Sequence, residues 1–345
     1  MGDIVRVLIV DDSAYVRKAV RQMLSRSPFI EVVGVARDGE EALELVEQLR
    51  PDVVTLDLHM PRCDGLDFLK QQMARRPVPV IVLSAASESG ELVMQALDAG
   101  AVDVVQKPTA LANDKVFEVA DTLIATVKAV TAARLPAPTN APHLSSALPL
   151  AAPKAGKTDV LVIGVSTGGP QALKRIIPQL PADFPVPIAM VLHMPVGYTE
   201  LFARSLGEAS QIAVAEAQEG DVFRPGLALL APAGYHLSCS RRPDGAVIAR
   251  LSLRPLDTAH RPAVDVLFRS AAEVYGDRTL ALVLTGMGSD GAQGAAWIKA
   301  QGGRVFTEAE ETCVVYGMPR SVAEAGLSDR VVPLNRMTEA ILGAL

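Results

Sequence analysis

Cysteine is scarce in this 345-residue chain, aromatic residues make up only 4%, and tryptophan occurs once. The cysteines, Cys63, Cys239 and Cys313, are odd in number, widely spaced and without a C-x-x-C pair, which argues against a disulfide framework or a thiolate metal site. They are expected to be buried free thiols. An excess of positive charge is missing too. With 33 Lys and Arg against 39 Asp and Glu, the formal net charge is -6, and nucleic acid is not an expected partner. No apolar run reaches the roughly 18 residues of a membrane span. The opening residues, MGDIVRVLIVDDS, lack the basic region and apolar stretch of a secretory leader, so a cytoplasmic location is expected.

What is present is a globular composition, 49% hydrophobic and 21% charged. The length suits two domains. From the N-terminus, the runs RVLIV, EVVGVA, DVVTL, VPVIVLS and VDVVQ alternate with amphipathic stretches such as EEALELVEQLR. Five strands alternating with five helices predict a flavodoxin-like domain with a five-stranded parallel sheet over 1–130. Residues 131–157 then read as a Pro/Ala-rich linker, with five prolines from 135 onward and little periodicity. Residues 158–345 again alternate strands with helices. They predict a doubly wound, mainly parallel α/β domain with a β-rich insert around VFRPGLALLAP, YHLSCS and AVIARLSL.

In the first domain Asp11 and Asp12 follow the first strand and Asp57 the third, while Ser84 and Lys107 close the fourth and fifth. Ligands bind outside the carboxyl ends of parallel strands, so all five are expected in one pocket. Three carboxylates repel one another unless a cation neutralises them, and a hard, partly hydrated ion such as Mg2+ suits that donor set. Helix capping would account for Asp12 or Ser13, but not for Asp57 before MPRCDG or for Lys107 before Pro108. With IVDDS, LDLHMPRCDGLDFL, VLSA and QKP in order, residues 1–125 resemble a response-regulator receiver domain. The resemblance implies Asp57 as phospho-acceptor and Asp11, Asp12, Asp57 and the backbone carbonyl of His59 as Mg2+ ligands. It also implies Ser84 as switching hydroxyl and Lys107 as phosphate partner. Val104 stands where receivers often carry an aromatic that rotates on activation.

In the second domain, Gly164-Val165-Ser166-Thr167-Gly168 fits G-x-S-x-G between a strand and a helix, a turn that exposes a serine above a sheet. The hydroxyl needs a base. His193, directly after PIAMVL, is the first candidate, and His236 and His260 compete with it. Asp290, in TGMGSDG, is placed to orient the imidazole, though it could also cap a helix. The chain order Ser, His, Asp differs from that of an α/β-hydrolase. A phosphate-binding glycine loop is a rival reading, but Ser166 replaces its middle glycine and no acid ends the following strand.

The motifs GVSTGGP, HMP followed by Tyr-Thr, APAGYHL, HRPAVDVLFRSAA, TGMGSDGA and CVVYGMPR run in order through 160–320. They resemble the catalytic domain of the chemotaxis protein-glutamate methylesterase family. The resemblance implies a Ser166, His193 and Asp290 triad, with the backbone N–H groups of Thr167 and Met287 as oxyanion donors and no cofactor in this domain. Leu192 and Ala263 depart from the family's frequent Gln and Ser. The activity so implied is demethylation of glutamate methyl esters and deamidation of selected glutamines on methyl-accepting chemotaxis receptors. A chemotaxis histidine kinase would be the phosphodonor, and an unphosphorylated receiver packed on the catalytic face would be the block that phosphorylation relieves. Competing outputs are a nucleotide-dependent enzyme and a transcriptional regulator. The acidic chain, without a basic recognition helix, speaks against the latter.

Overall fold

The computed structural model describes residues 4–85, 90–107, 114–131 and 158–345, so the expected linker lies, from residue 132 onward, outside the described residues. The chain divides into two compact units, one within residues 1–135 and one within 136–345.

The first unit runs β1 (Val5–Val10), α1 (Ala14–Leu24), β2 (Ile30–Ala36), α2 (Gly39–Leu49), β3 (Val53–Asp57), α3 (Gly65–Arg75), β4 (Val80–Ser84), α4 (Gly90–Asp98), β5 (Asp103–Gln106) and α5 (Asp114–Thr131). All pairings are parallel, in the order β2-β1-β3-β4-β5. That is the flavodoxin-like order the alternating runs predict. β3 and β4 are buried along their whole lengths, as strands covered by helices on both faces must be. Short polar side chains start the helices: Ser13 caps α1, Asp38 α2 and Asp64 α3, each accepting a backbone N–H.

The second unit starts with β6 (Val160–Val165), α6 (Gly169–Ile176), β7 (Ile188–Leu192), α7 (Thr199–Glu208), β8 (Ala213–Glu216) and β9 (Leu227–Leu230). A hairpin of β10 (His236–Arg241) and β11 (Val247–Ser252) follows, then α8 (Val264–Tyr275), β12 (Thr279–Val283) and α9 (Ala292–Ala300). The chain closes with β13 (Arg304–Glu308), α10 (Met318–Glu324), β14 (Arg330–Val332) and α11 (Leu334–Leu342). Seven strands form one sheet, β14-β13-β12-β6-β7-β9-β8, with every neighbouring pair parallel. Among the described residues of this unit, only the strands β10 and β11 stand apart, as an antiparallel pair. The expected insert is therefore smaller than the sequence suggests. The LALL of β9 belongs to the main sheet, where β7 and β8 flank it and bury Ala228, Leu229 and Leu230.

The chain enters this sheet at β6, builds outward through β7 to β8 and β9, and then returns to the other side of β6 as β12. Connections after β6 and β12 consequently diverge and leave a crevice at the carboxyl ends of these two strands. The strands beneath it, β6, β7 and β12, are fully buried, and each large apolar side chain so buried contributes about 1.5–3 kcal/mol.

Candidate active site and acidic pocket

In the first unit Asp11, Asp12 and Asp57 offer oxygens that all lie within 4.8 Å of one another. The Lys107 ammonium stands 2.7 Å from Asp57 Oδ1 and 3.6 Å from Asp11 Oδ2. Asp57 Oδ1 also accepts the backbone N–H of His59 at 3.0 Å. Burial, then the nearby Asp57 charge, pushes the Asp11 carboxyl up to about 6. Its Oδ2 has no hydrogen-bond donor among the described residues. An orphaned buried oxygen beside two further carboxylates fits a hard divalent cation such as Mg2+. Arg17, on α1, donates from Nη1 to the carbonyls of Asp11 (2.7 Å) and Asp12 (2.9 Å), and so holds the acidic turn in place. Ser84 is buried at the end of β4, its carbonyl accepting the Lys107 N–H at 2.7 Å. Val104 is buried within β5.

In the second unit Ser166 is the first residue beyond β6, half-buried, and His193 the first beyond β7. β6 and β7 pair with Val165 opposite Leu192, and the His193 N–H donates to the Val165 carbonyl at 3.2 Å, so the two residues are neighbours across the sheet end. The Ser166 N–H donates to the carbonyl of Thr285 at 3.0 Å, which ties the serine turn to the loop after β12. Two glycines make this turn possible. Gly168 has φ 78°, a conformation costly for residues with a Cβ. At Gly286 an added Cβ would lie 2.8 Å from Ser166 Cβ and 2.4 Å from Met318 Sδ. Met287 follows Gly286 and is half-buried; Thr167 is buried.

Asp290 Oδ2 and His193 Nε2 are 2.8 Å apart, with both side chains about nine-tenths buried. The same carboxylate accepts the Val264 N–H at 2.7 Å and the Asp265 N–H at 2.9 Å. Burial pushes the Asp290 carboxyl up, but the imidazole and these two donors outweigh it and leave it below the usual carboxylate range. With Nε2 on the carboxylate, His193 Nδ1 is left without a hydrogen-bond partner among the described residues. Ser166 and His193 are thus neighbours through their backbones at the sheet end, and no hydrogen bond joins their side chains.

The competing histidines have other tasks. His236 is buried; its Nδ1 accepts the Ala263 N–H at 3.2 Å and its Nε2 lies 3.0 Å from the Pro255 carbonyl. It braces the loop between β11 and α8 from within. His260, on that loop, stacks on His193 with ring centroids 4.1 Å apart. Burial, then the neighbouring His193, pushes its imidazole down to about 4, so it is neutral near pH 7. Leu253 and Leu256, on the same loop, are exposed. Ala263 occupies the N-cap of α8 and offers no capping oxygen; the Asp290 carboxylate meets the helix's free N–H groups in its place.

Three residues escaped the sequence reading. Thr285 accepts the Val315 N–H on Oγ1 and donates that hydroxyl to the Thr167 carbonyl, each at 2.9 Å. Glu308, fully buried at the end of β13, accepts the Thr285 N–H at 2.9 Å, and burial pushes its carboxyl up to about 7. Asp265 accepts backbone N–H groups from the α9 turn. An acid at a strand end and an acid in a first helical turn were the only signals, and both have ordinary structural readings.

Comparison with known proteins agrees with this layout. Residues 161–341 match the family model described as CheB methylesterase, and residues 7–115 match the response regulator receiver domain. A Myxococcus xanthus protein named protein-glutamate methylesterase/protein-glutamine glutaminase 5 is 50% identical over 337 residues, 96% of each chain. A Pyrococcus horikoshii protein named protein-glutamate methylesterase/protein-glutamine glutaminase is 42% identical, covering 100% of this chain and 95% of its own. Among solved structures, the Thermotoga maritima CheB methylesterase catalytic domain is 43% identical with a TM-score of 0.53, over 55% of this chain and 100% of that one.

Proposed function

Since this chain belongs to the CheB methylesterase family and carries a response regulator receiver domain ahead of the catalytic match, we propose that it is a phosphorylation-regulated protein-glutamate methylesterase and protein-glutamine glutaminase. In this reading residues 1–130 are the receiver, 131–157 the linker and 158–345 the catalytic domain. The observation that carries the chemistry is the 2.8 Å bond between His193 and Asp290, formed at the strand ends where Ser166 also stands.

Ser166 Oγ attacks the γ-carbonyl of a methylated glutamate as His193 Nδ1 takes its proton. Asp290 stabilises the imidazolium through Nε2. The tetrahedral oxyanion is held by the N–H groups of Thr167 and Met287, one such donor being worth about 2.7–4 kcal/mol. Collapse breaks the bond to the methoxy oxygen, which leaves as methanol with the proton from His193. Water then attacks the acyl-serine, giving its proton to Nδ1, and glutamate is released with the Ser166 hydroxyl restored. A glutamine side chain follows the same course with ammonia as leaving group. The substrates are methyl-accepting chemotaxis receptors, met from the cytoplasm, and among the described residues no helix is long and apolar enough to cross a membrane.

Asp57 is the phospho-acceptor, with a chemotaxis histidine kinase as donor. Asp11, Asp12, Asp57 and the His59 carbonyl would hold Mg2+, which would supply neutralisation of phosphoryl charge at this site. Lys107 and the Ser84 hydroxyl then engage the phosphoryl oxygens. This stimulates the esterase to the extent that the phosphorylated receiver favours the active state over the inactive one. The test is methanol release from methylated receptor membranes, with and without Mg2+ and a small-molecule phosphodonor. Release that rises with the donor supports the reading; no release from the intact chain overturns it.

A further inference from the structure

Asp290 does two jobs with one carboxylate. Oδ2 accepts both the His193 Nε2–H and the Val264 N–H, while Oδ1 accepts the Asp265 N–H, so the group that orients the imidazole also starts α8. A carboxylate held this way is only as well placed as the turn that carries it. That turn, between Ser289 and Gly291, leads into α9, whose N-cap position is Gly291 and supplies no side chain.

The missing cap comes from Asp265. Its Oδ1 accepts the Gly291 N–H at 2.9 Å and the Gly294 N–H at 2.7 Å. The two aspartates thus exchange caps: Asp290 precedes α9 and caps α8, while Asp265 lies in the first turn of α8 and caps α9. Each carboxylate fixes the backbone of the other. Burial, with the Asp290 charge as an additional influence, pushes the Asp265 carboxyl up.

We propose that Asp265 is a positioning residue for the hydrolytic reaction: by holding the Gly291 and Gly294 N–H groups it fixes the turn that presents Asp290 to His193. The proposal rests on the reading of Ser166, His193 and Asp290 as the hydrolytic set. Without the Asp265 oxygen the turn relaxes, Asp290 keeps its charge, and its oxygen no longer meets Nε2 at a fixed distance. Misplacement on the order of 1 Å costs about a hundredfold in rate. The loss falls on kcat, because Asp265 touches the carboxylate's turn and not the substrate.

The chain has only five histidines, which makes the tautomer of His193 measurable in the full-length protein by nitrogen NMR of histidine-labelled material, with His193→Gln to assign the signal. In the unaltered chain, with the ring in its neutral form, the proton is expected on Nε2. In Asp265→Ala it is expected to be shared between both nitrogens, with kcat for methanol release down about tenfold to a hundredfold and KM within about twofold. Asp265→Asn keeps an Oδ1 able to accept both N–H groups, and restores the Nε2–H tautomer and most of kcat. Asp265→Glu keeps the charge but shifts the oxygens by a methylene; it shows the same tautomer mixing should the alanine variant prove too unstable to study.

If Asp265→Ala and Asp265→Glu retain the Nε2–H tautomer and normal kcat and show only a lower melting temperature, Asp265 is a helix cap alone and the proposal is overturned. Absence of methanol release from the unaltered chain would defeat the esterase reading instead, and the tautomer measurement would still decide whether Asp265 positions Asp290.

Discussion

The carboxylate of Asp290 meets the imidazole of His193 at Nε2, which leaves Nδ1 without a hydrogen-bond partner among the described residues. In the proposed hydrolytic reading this mirrors the serine-protease template, where Nδ1 binds the acid and Nε2 is the base. Neutral imidazole carries one proton, so the acid's position decides which nitrogen is basic.

Asp290→Asn puts an amide opposite Nε2. An N–H there favours the tautomer with its proton on Nδ1, where it is useless for accepting one from Ser166. A fall in kcat of about 10⁴-fold is expected, as for the corresponding change in the template. Methanol release by the purified variant checks this, and a loss below tenfold would show that the acid does not set the tautomer.

Asp57→Ala should keep the basal rate and lose stimulation by a phosphodonor, while Ser166→Ala should lose both rates and still accept phosphate on Asp57. Phosphate incorporation measured beside methanol release separates the two. Equal stimulation of the Asp57 variant would remove Asp57 from the regulatory account.

Gly286→Ala forces a methyl group to within 2.8 Å of Ser166 Cβ and 2.4 Å of Met318 Sδ. Overpacking of this kind costs about 1–3 kcal/mol. The sole tryptophan, Trp297 on α9, reports unfolding of the second unit by fluorescence. Both a lower urea midpoint and a lower kcat are expected; an unchanged kcat would mean that the serine turn yields without consequence.

Glu308 links pH to stability. Its folded carboxyl is raised to about 7 from an ordinary 4.5, so the folded state binds the proton more tightly than the unfolded chain. Its contribution is fully present below the unfolded value and is lost as pH rises through about 7, on the order of 3 kcal/mol in all. Glu308→Gln cannot titrate, so its urea midpoint should fall less than that of the unaltered chain between about pH 5 and about pH 8. Parallel falls, followed by Trp297 fluorescence, would refute the assignment.

Much of this was legible in the residues themselves. Apolar runs ending in Asp11, Asp57, Ser166 and His193 mark strands and also the rim to which those side chains belong, because parallel strands bring their carboxyl ends together. LALL was misread as part of an insert, since four apolar residues between turns look alike in a hairpin and in a central sheet. His193 could be favoured over His236 and His260 by its place at a strand end, but their bracing and stacking arise from a loop whose path no periodicity encodes. Asp265 was invisible for a different reason: an acid in a first helical turn already has a sufficient local explanation in the helix dipole. Its partners, Gly291 and Gly294, lie more than twenty residues away.

The brace supplied by His236 has a consequence for how the chain can change. Because Ala263 and Pro255 are gripped from the interior, the outward side chains Leu253 and Leu256 bear little responsibility for keeping His260 against His193. Variation at those two positions should therefore leave the stacking of His260 on His193 intact, and random libraries confined to them should yield a high fraction of variants that keep methanol release.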